Sequence, residues 1–414
     1  MGSELYETPN IDRLAGEGML FDNAYAACTV CSPTRAAVMT GKYPARLRIT
    51  DWIEGHKRPE AKLSVPDWTM YLPHEEVTIA EHLKNEGYAT CHIGKWHLGF
   101  EDYRPDTQGF DQNIGGYHRG QPPSYFAPYK IPTLEEGPDG EYLTDREAAE
   151  AVKFITANKD NPFFLYLPHY TVHTPIQSKK EMQKKYADKV RPGMKQTRAD
   201  YAAMIESLDQ SVGTITAALD KFGIADKTII IFTSDNGGLV LGKIPVTDNS
   251  PLRAGKGSAY EGGVRVPLIV KWPGVTEPGS RSDEPVISVD YFPTISEMVN
   301  AQSDLPPDID GESIVPILRG SDDFDRDAIY WHYPHYHPGG ATPYSAIRAG
   351  DFRLVQFFED GRCELYNLRD DVGETRDLTE KQPGKSAQLT AQLDTWRRSV
   401  DAQSPLPNPN WNGE

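Results

Sequence analysis

Cys31-Ser32-Pro33-Thr34-Arg35-Ala36-Ala37-Val38-Met39-Thr40-Gly41 is the most informative run in the chain. Pro33 suits the first position of a helix, Ser32 its cap and Gly41 its C-terminal stop, so the pattern predicts a short helix with Cys31 just outside its N-terminus. An anion at that place meets unpaired backbone N–H groups and the positive end of the helix dipole. Arg35, one turn in, is spaced to donate a forked pair of hydrogen bonds to an oxyanion. The plain alternative is a buried structural cysteine ahead of an ordinary helix, and the rest of the chain decides between the two.

Around this run lies a chain of 414 residues, long enough for one large and one small domain with an ample core. With 38% hydrophobic and 25% charged residues, 35 Gly and 33 Pro, it reads as a globular protein with many structured loops. No stretch approaches the apolar length of a membrane span, so no membrane partner is expected. A net charge of −17 without a basic tract argues against nucleic acid. An anionic substrate must therefore be captured by a local basic pocket against an unfavourable global field. The four cysteines, Cys28, Cys31, Cys91 and Cys363, are too few for a disulfide scaffold. Cys28 and Cys31 form a C-x-x-C, but no second metal-binding pair follows at zinc spacing, and a redox motif leaves Pro33-Thr34-Arg35 unexplained.

Organisation follows from periodicity. Asn10 to Gly18 reads as a short helix capped by Asn10, and Thr78-Ile79-Ala80-Glu81 is a capping box opening a helix before Gly87. Tyr88 to Ile93, Pro162 to Leu167, Thr228 to Thr233 and Val264 to Trp272 read as buried strands. Between them Tyr201, Ile205, Leu208, Val212, Ile215 and Leu219 recur at helical spacing. Helix alternating with buried strand indicates a layered α/β domain over residues 1–325. From about Arg326 the texture changes to short strands, Ala328 to Tyr333, Tyr344 to Ala349, Phe352 to Phe358 and Cys363 to Asn367, followed by a helix from Ser386 to Val400. Residues 326–414 are thus expected to form a small antiparallel sheet with one covering helix, ending in a tail or packed arm.

The polar loops follow the predicted strands, where open α/β sheets gather ligands. After Ile93 comes Gly94-Lys95-Trp96-His97-Leu98-Gly99, whose glycines permit a sharp turn while Lys95 and His97 face one way. After Leu167 comes Pro168-His169-Tyr170-Thr171-Val172-His173-Thr174-Pro175, with His173 a candidate general acid and His169 structural. After Thr233 comes Ser234-Asp235-Asn236-Gly237-Gly238, where successive Asp235 and Asn236 oxygens suit Ca²⁺ or Mg²⁺ better than zinc, the bland alternative being a hairpin turn. Then Arg253-Ala254-Gly255-Lys256 leads into Glu261-Gly262-Gly263-Val264-Arg265-Val266-Pro267. A phosphate-cradling P-loop does not fit that spacing. Trp331-His332-Tyr333-Pro334-His335-Tyr336-His337 is dense in rings that suit the rim of a sugar pocket, or an ordinary strand with inward aromatics.

In this order, from Glu7 to about Pro273, the motifs resemble those of the type I, formylglycine-dependent sulfatases of the alkaline-phosphatase-like superfamily. The resemblance implies an α/β/α sandwich with a central mixed sheet and a small C-terminal subdomain. It implies that a maturase oxidises Cys31 to formylglycine, whose hydrate attacks sulfur. Arg35, Lys95 and Lys256 would then stabilise the sulfuryl oxygens, His97 would assist the hydrate and His173 the departing alcohol. Asp235, Asn236 and the modified Cys31 would hold Ca²⁺, with Mg²⁺ as alternative. A carbohydrate sulfate of galactose or N-acetylgalactosamine type is the implied substrate, with aryl esters as model substrates and His332, His335 and His337 at the pocket rim. Rival readings are a phosphoester or phosphonate hydrolase of the same superfamily and a metal-poor, weakly active or carbohydrate-binding relative. The family's first strand, which ends in an Asp-Asp metal pair, finds no counterpart before Tyr6. Weak metal affinity is therefore expected, with strand exchange or a homo-oligomer as a way to fill the central position. Typical relatives are periplasmic or secreted, and no signal peptide is visible here.

Overall fold

The computed structural model describes residues 2–241 and 245–413. Its strands form two central sheets. One is mixed, in the order Ile230–Thr233, Leu268–Lys271, Met19–Phe21, Ser280–Ser282, and the other is parallel, in the order Gln112–Ile114, Ala89–Ile93, Phe163–Tyr166. Helices Pro9–Glu17 and Ala199–Lys221 pack on one face of these sheets, and Cys31–Thr40, Ile79–Asn85 and Tyr291–Met298 on the other. The layered α/β architecture expected from the alternating pattern is present. No helix among the described residues is long and apolar enough to cross a membrane.

Local chemistry shifts several boundaries. The decisive helix begins at Cys31, with Val30 as its N-cap, so Cys31 lies in the first turn and Ser32 is not the cap. The Ser32 hydroxyl is instead engaged by the Ile53 N–H at 3.1 Å, while Thr34 folds the preceding loop back, its Oγ1 accepting from the Cys28 N–H at 3.1 Å. Gly41 ends the helix in the left-handed conformation, φ 68°, which costs a glycine little. Asn10 does not cap its helix, which runs Pro9–Glu17 behind Thr8. Asp209 of the long helix supplies the cap, accepting from the backbone N–H groups of Asn10 and Ile11 at 2.9 and 2.8 Å and so tying two helices together. The Thr78–Glu81 capping box forms on both sides. The segment expected to be a strand from Val264 is helical over Glu261–Val264 and becomes strand only at Leu268–Lys271.

The C-terminal meander runs Ile329–Tyr333, Tyr344–Ala349, Phe352–Phe357, Cys363–Asn367, all antiparallel, covered by helix Pro383–Ser399 through Leu389, Leu393 and Trp396. Its core is continuous with the layer under the Cys31 helix, since Trp331 and Tyr344 share a cluster with Tyr25, Val30 and Ala37. Each such buried aromatic contributes roughly 2–3 kcal/mol of burial. Polar ties fix the register: Trp331 Nε1 donates to the Ala26 carbonyl at 2.9 Å, and the Tyr333 hydroxyl to Asp51 at 2.7 Å. Arg353, fully buried, answers both Glu374 and Glu261. The tail is a packed arm. Leu406–Pro407 pairs with Leu63–Ser64, Asn408 Nδ2 donates to the carbonyls of Pro59 and Ala61, and Gln403 donates to that of Asp67.

Asp51 carries a pH consequence. Burial pushes its carboxyl up from 3.8 to about 7, against the opposing pull of the bonds from Tyr333 and the Trp52 N–H. The folded chain keeps a proton that the unfolded chain releases, so this stabilisation is complete below about pH 4 and lost as pH rises to about 7, by at most about 4 kcal/mol. Asp51→Asn should flatten that dependence while retaining an acceptor for Tyr333. Urea unfolding at pH 4.5 and 7.5 checks this: a wild-type-minus-variant stability difference that is the same at both pH values contradicts it.

Candidate active site

Four loops bring the expected side chains to the N-terminal end of the Cys31–Thr40 helix. Cys31, Arg35, Lys95 and His97 are each 5% exposed or less, so their charges are felt at low dielectric. Lys256 Nζ lies 3.7 Å from Cys31 Sγ and 3.1 Å from His173 Nε2. Arg35 Nε donates to Asp235 at 2.8 Å, and Lys95 Nζ stands 3.5 Å from the same carboxylate oxygen. The site thus contains Cys31, Arg35, Lys95, His97, His173, Asp235 and Lys256 together.

The electrostatics follow from burial of several cations around one carboxylate. Burial alone would raise the Cys31 thiol, but Lys256, Lys95 and His97 pull it well below its ordinary value. Asp235 is likewise held far below the usual carboxylate range by Lys95, Arg35 and Lys256 despite its burial. Burial, then Lys256 and Lys95, push His173 well down, so its Nε2 is a neutral acceptor of the Lys256 proton. Lys95 is lowered by burial, which Cys31 and Asp235 counter. Arg35 differs from expectation: its Nε is committed to Asp235 and its Nη1 donates to the Lys95 carbonyl at 2.6 Å, so part of its fork organises the loops instead of facing a ligand.

His97 is set by its backbone, φ 62°, and its Nε2 donates to the Ile53 carbonyl, leaving Nδ1 buried and unpartnered among the described residues. His169 is structural, as expected: its Nδ1 meets Glu147 at 2.5 Å and its Nε2 meets Ser211 at 3.0 Å. The pocket-rim reading fails for two of three histidines. His332 is buried between Ser345 Oγ at 2.8 Å and the Gln403 carbonyl at 2.7 Å, and His335 is buried against Thr50 Oγ1 at 2.8 Å. Burial pushes them to about 4 and about 3, so both are neutral fillers under the C-terminal sheet. Only His337 stands by the site, edge-on to His56 at 5.0 Å and close over Gly257, next to Lys256.

For a hard cation the described residues offer a partial donor set. Asn236 Oδ1 is buried and unpartnered, which suits an ion, whereas Asp235 already serves Arg35 and Lys95. No cluster of three or more His, Cys, Asp or Glu capable of holding a metal occurs among the described residues, so these two side chains alone fall short of the six to eight oxygens Ca²⁺ takes.

Positioning residues escaped the sequence reading. Thr29 Oγ1 accepts from the N–H groups of Gly257 and Ser258 at 2.9 and 3.1 Å, fixing the Lys256 loop beside Cys31. Asn249 Nδ2 donates to the carbonyls of Gly238 and Ala254 at 2.9 and 3.1 Å, lacing the Asp235 loop to the Lys256 loop. Ser32, through the Ile53 peptide, holds the carbonyl that orients His97. Thr29 and Ser32 meet partners remote in sequence, and Asn249 bonds carbonyls 11 and 5 residues away that no motif marks.

Known proteins resemble this chain over most of its length. The family described as Sulfatase matches residues 1–301, and that described as N-sulphoglucosamine sulphohydrolase, C-terminal, matches residues 255–400. A sulfatase of Formosa agariphila is 34% identical over 93% of this chain and 81% of its own length. The human N-acetylgalactosamine-6-sulfatase is 32% identical over 80% of this chain and 64% of its own. The crystal structure of Ps i-CgsB in complex with k-i-k-neocarrahexaose superposes with a TM-score of 0.80 at 29% identity, covering 100% of this chain and 91% of that one. The chain belongs to the sulfatase family, has the alkaline-phosphatase-like fold, and is a sulfuric ester hydrolase.

A Cβ on Gly120 would lie 2.4 Å from His97 Cε1 and 2.6 Å from its Nδ1. Gly120→Ala must therefore displace the imidazole, and kcat/KM on an aryl sulfate should fall about tenfold or more with the fold retained. Steady-state kinetics with circular dichroism test this; unchanged kinetics would show that His97 placement is not critical.

Proposed function

We propose that this enzyme hydrolyses sulfate monoesters of a carbohydrate, of galactose or N-acetylgalactosamine type, and aryl sulfates as model substrates, using a formylglycine formed from Cys31 by a maturase. The observation that carries this reading is the position of Cys31, buried in the first helical turn with Lys256 at 3.7 Å and its thiol drawn down by Lys256 and Lys95. The names of a galactosamine-sulfate hydrolase and of a carrageenan-oligosaccharide complex among its relatives support the sugar class.

The modified side chain would supply an aldehyde hydrate as nucleophile, and Asp235 and Asn236 would hold a Ca²⁺ or Mg²⁺ ion that would supply positive charge to the sulfuryl oxygens. The chain's own residues do the rest. Lys256 and Lys95 fix the sulfate oxygens and disperse the charge that grows on them. His97, with Nε2 committed to the Ile53 carbonyl, offers Nδ1 to take a proton from the group at position 31. His173, hydrogen-bonded through Nε2 to Lys256, is the residue that would assist the departing alcohol.

Cys31→Ala and Cys31→Ser, made in a host whose maturase acts only on cysteine, should each lower turnover of an aryl sulfate by at least about a thousandfold. Mass spectrometry of the peptide containing residue 31 should show the aldehyde in active wild-type protein, and wild-type rates from either variant would end the proposal. Calorimetric titration with Ca²⁺ should give a dissociation constant weaker than about 1 µM, because the described residues supply so few oxygen donors. Sub-micromolar binding would mean that further ligands complete the site.

A further inference from the structure

Two histidines from distant parts of the chain meet beside Lys256. His337 opens a loop, 337–341, that is pinned on the Lys256 loop: the Ala341 N–H donates to the Gly257 carbonyl and the His337 N–H to the Ala341 carbonyl, each at 2.9 Å. Its ring lies so close over Gly257 that a Cβ there would overlap it. His56 comes from the segment after Trp52 and Ile53 and meets His337 edge-on, with 5.0 Å between ring centroids. Trp52 in turn packs against His97 at 6.3 Å. The rings therefore run in an arc from His97 through Trp52, His56 and His337 to Lys256.

Bonds within the protein fix which nitrogen of each ring carries the proton. His56 Nδ1 accepts from Trp52 Nε1 at 3.0 Å, an indole that can only donate, and His337 Nδ1 accepts from the Gly339 N–H at 2.9 Å. A neutral ring engaged in this way keeps its proton on Nε2. Burial lowers both rings, aided at His56 by Arg58 and at His337, which falls to about 3, by His56 and Lys256. Each Nε2–H is thus a donor without a protein partner among the described residues, on a ring only half buried. Neither donor has a part in the sulfuryl transfer itself.

We infer that His56 and His337 are specificity-determining residues whose Nε2–H groups donate to two oxygens of the sugar ring that bears the sulfate. The inference rests on the carbohydrate-sulfatase reading above and names what recognises the sugar. Neutral donors suit hydroxyl and ring oxygens, whereas a further anionic group calls for the charge of Arg or Lys. His337 adjoins Lys256, which fixes the sulfate, so the oxygens within its reach are those near the ester. An aryl sulfate has no such oxygens, and the pair therefore favours the sugar ester over the aryl one.

His56→Asn and His337→Asn keep an oxygen to accept where Nδ1 does and remove the outer donor, while His337→Gln places an amide N–H near the Nε2 position. The substrates are the 4- and 6-sulfates of galactose and N-acetylgalactosamine, with 4-nitrophenyl sulfate as the aryl ester, and thermal melting checks the fold. For the sugar ester that wild type turns over best, the ratio of its kcat/KM to that of the aryl ester should fall about tenfold or more in each Asn variant, mainly through KM, and recover in His337→Gln by about threefold or more. A deoxy analogue of that sugar, lacking the hydroxyl next to the ester, should cost wild type about tenfold and the Asn variants less than about threefold. The inference is overturned by a wild-type ratio in both Asn variants, by equal losses on sugar and aryl esters, or by indifference of wild type to the missing hydroxyl, which needs no variant to fold. Failure of the sulfatase mechanism would show differently, as an absence of wild-type turnover on every ester.

Discussion

Asp235 is, among the described residues, the one carboxylate that meets both Arg35 and Lys95, and the site is organised around that imbalance. Arg35 comes from a helix, Lys95 from the loop after one sheet, and Asp235 from the loop after the other, so their shared contact fastens both sheets to the Cys31 helix. Removing one partner of such a buried set leaves uncompensated charge, which is far more costly than losing a surface pair. The same excess of positive charge draws down the Cys31 thiol and adds to the burial that lowers His173. Stability and reactivity therefore rest on the same few contacts.

This arrangement also sets how an anion is captured. With a net charge of −17, the chain as a whole repels sulfate esters, and attraction begins only within the pocket. Lys256 is held there by Thr29 through two backbone N–H groups, a device that places a flexible side chain by fixing its glycine-rich support. Lys95 is placed differently, within a buried loop whose N–H bonds the Pro168 carbonyl at 2.8 Å.

Much of this was legible in the sequence where the signal is local. The capping box at Thr78, the glycine stop at Gly41, the helical spacing from Tyr201 to Leu219 and the C-terminal alternation all produced the elements expected of them. The loops carrying Lys95, His173 and Asp235 each follow a strand, as the pattern predicted, whereas Lys256 lies in a long segment before the helix Glu261–Val264. Expectation failed where a distant partner takes over a local role: Asp209 caps the helix assigned to Asn10, and Ile53 occupies the hydroxyl assigned to capping by Ser32. The histidines of 331–337 misled because residue type does not reveal direction. The pleat and the overlying tail turn His332 inward, and Thr50 draws in His335. Thr29 acts across the whole domain, where no window of sequence sees it.

The arm at the end of the chain has a role that its composition conceals. By pairing with Leu63–Ser64 and bonding the carbonyls of Pro59, Ala61 and Asp67, it buckles down the segment that follows Trp52, Ile53 and His56. Ile53 orients His97, and His56 faces His337 beside Lys256. The last residues of the chain thereby brace the mouth of a site built almost wholly from the first two-thirds, and clipping them would loosen chemistry that they never touch.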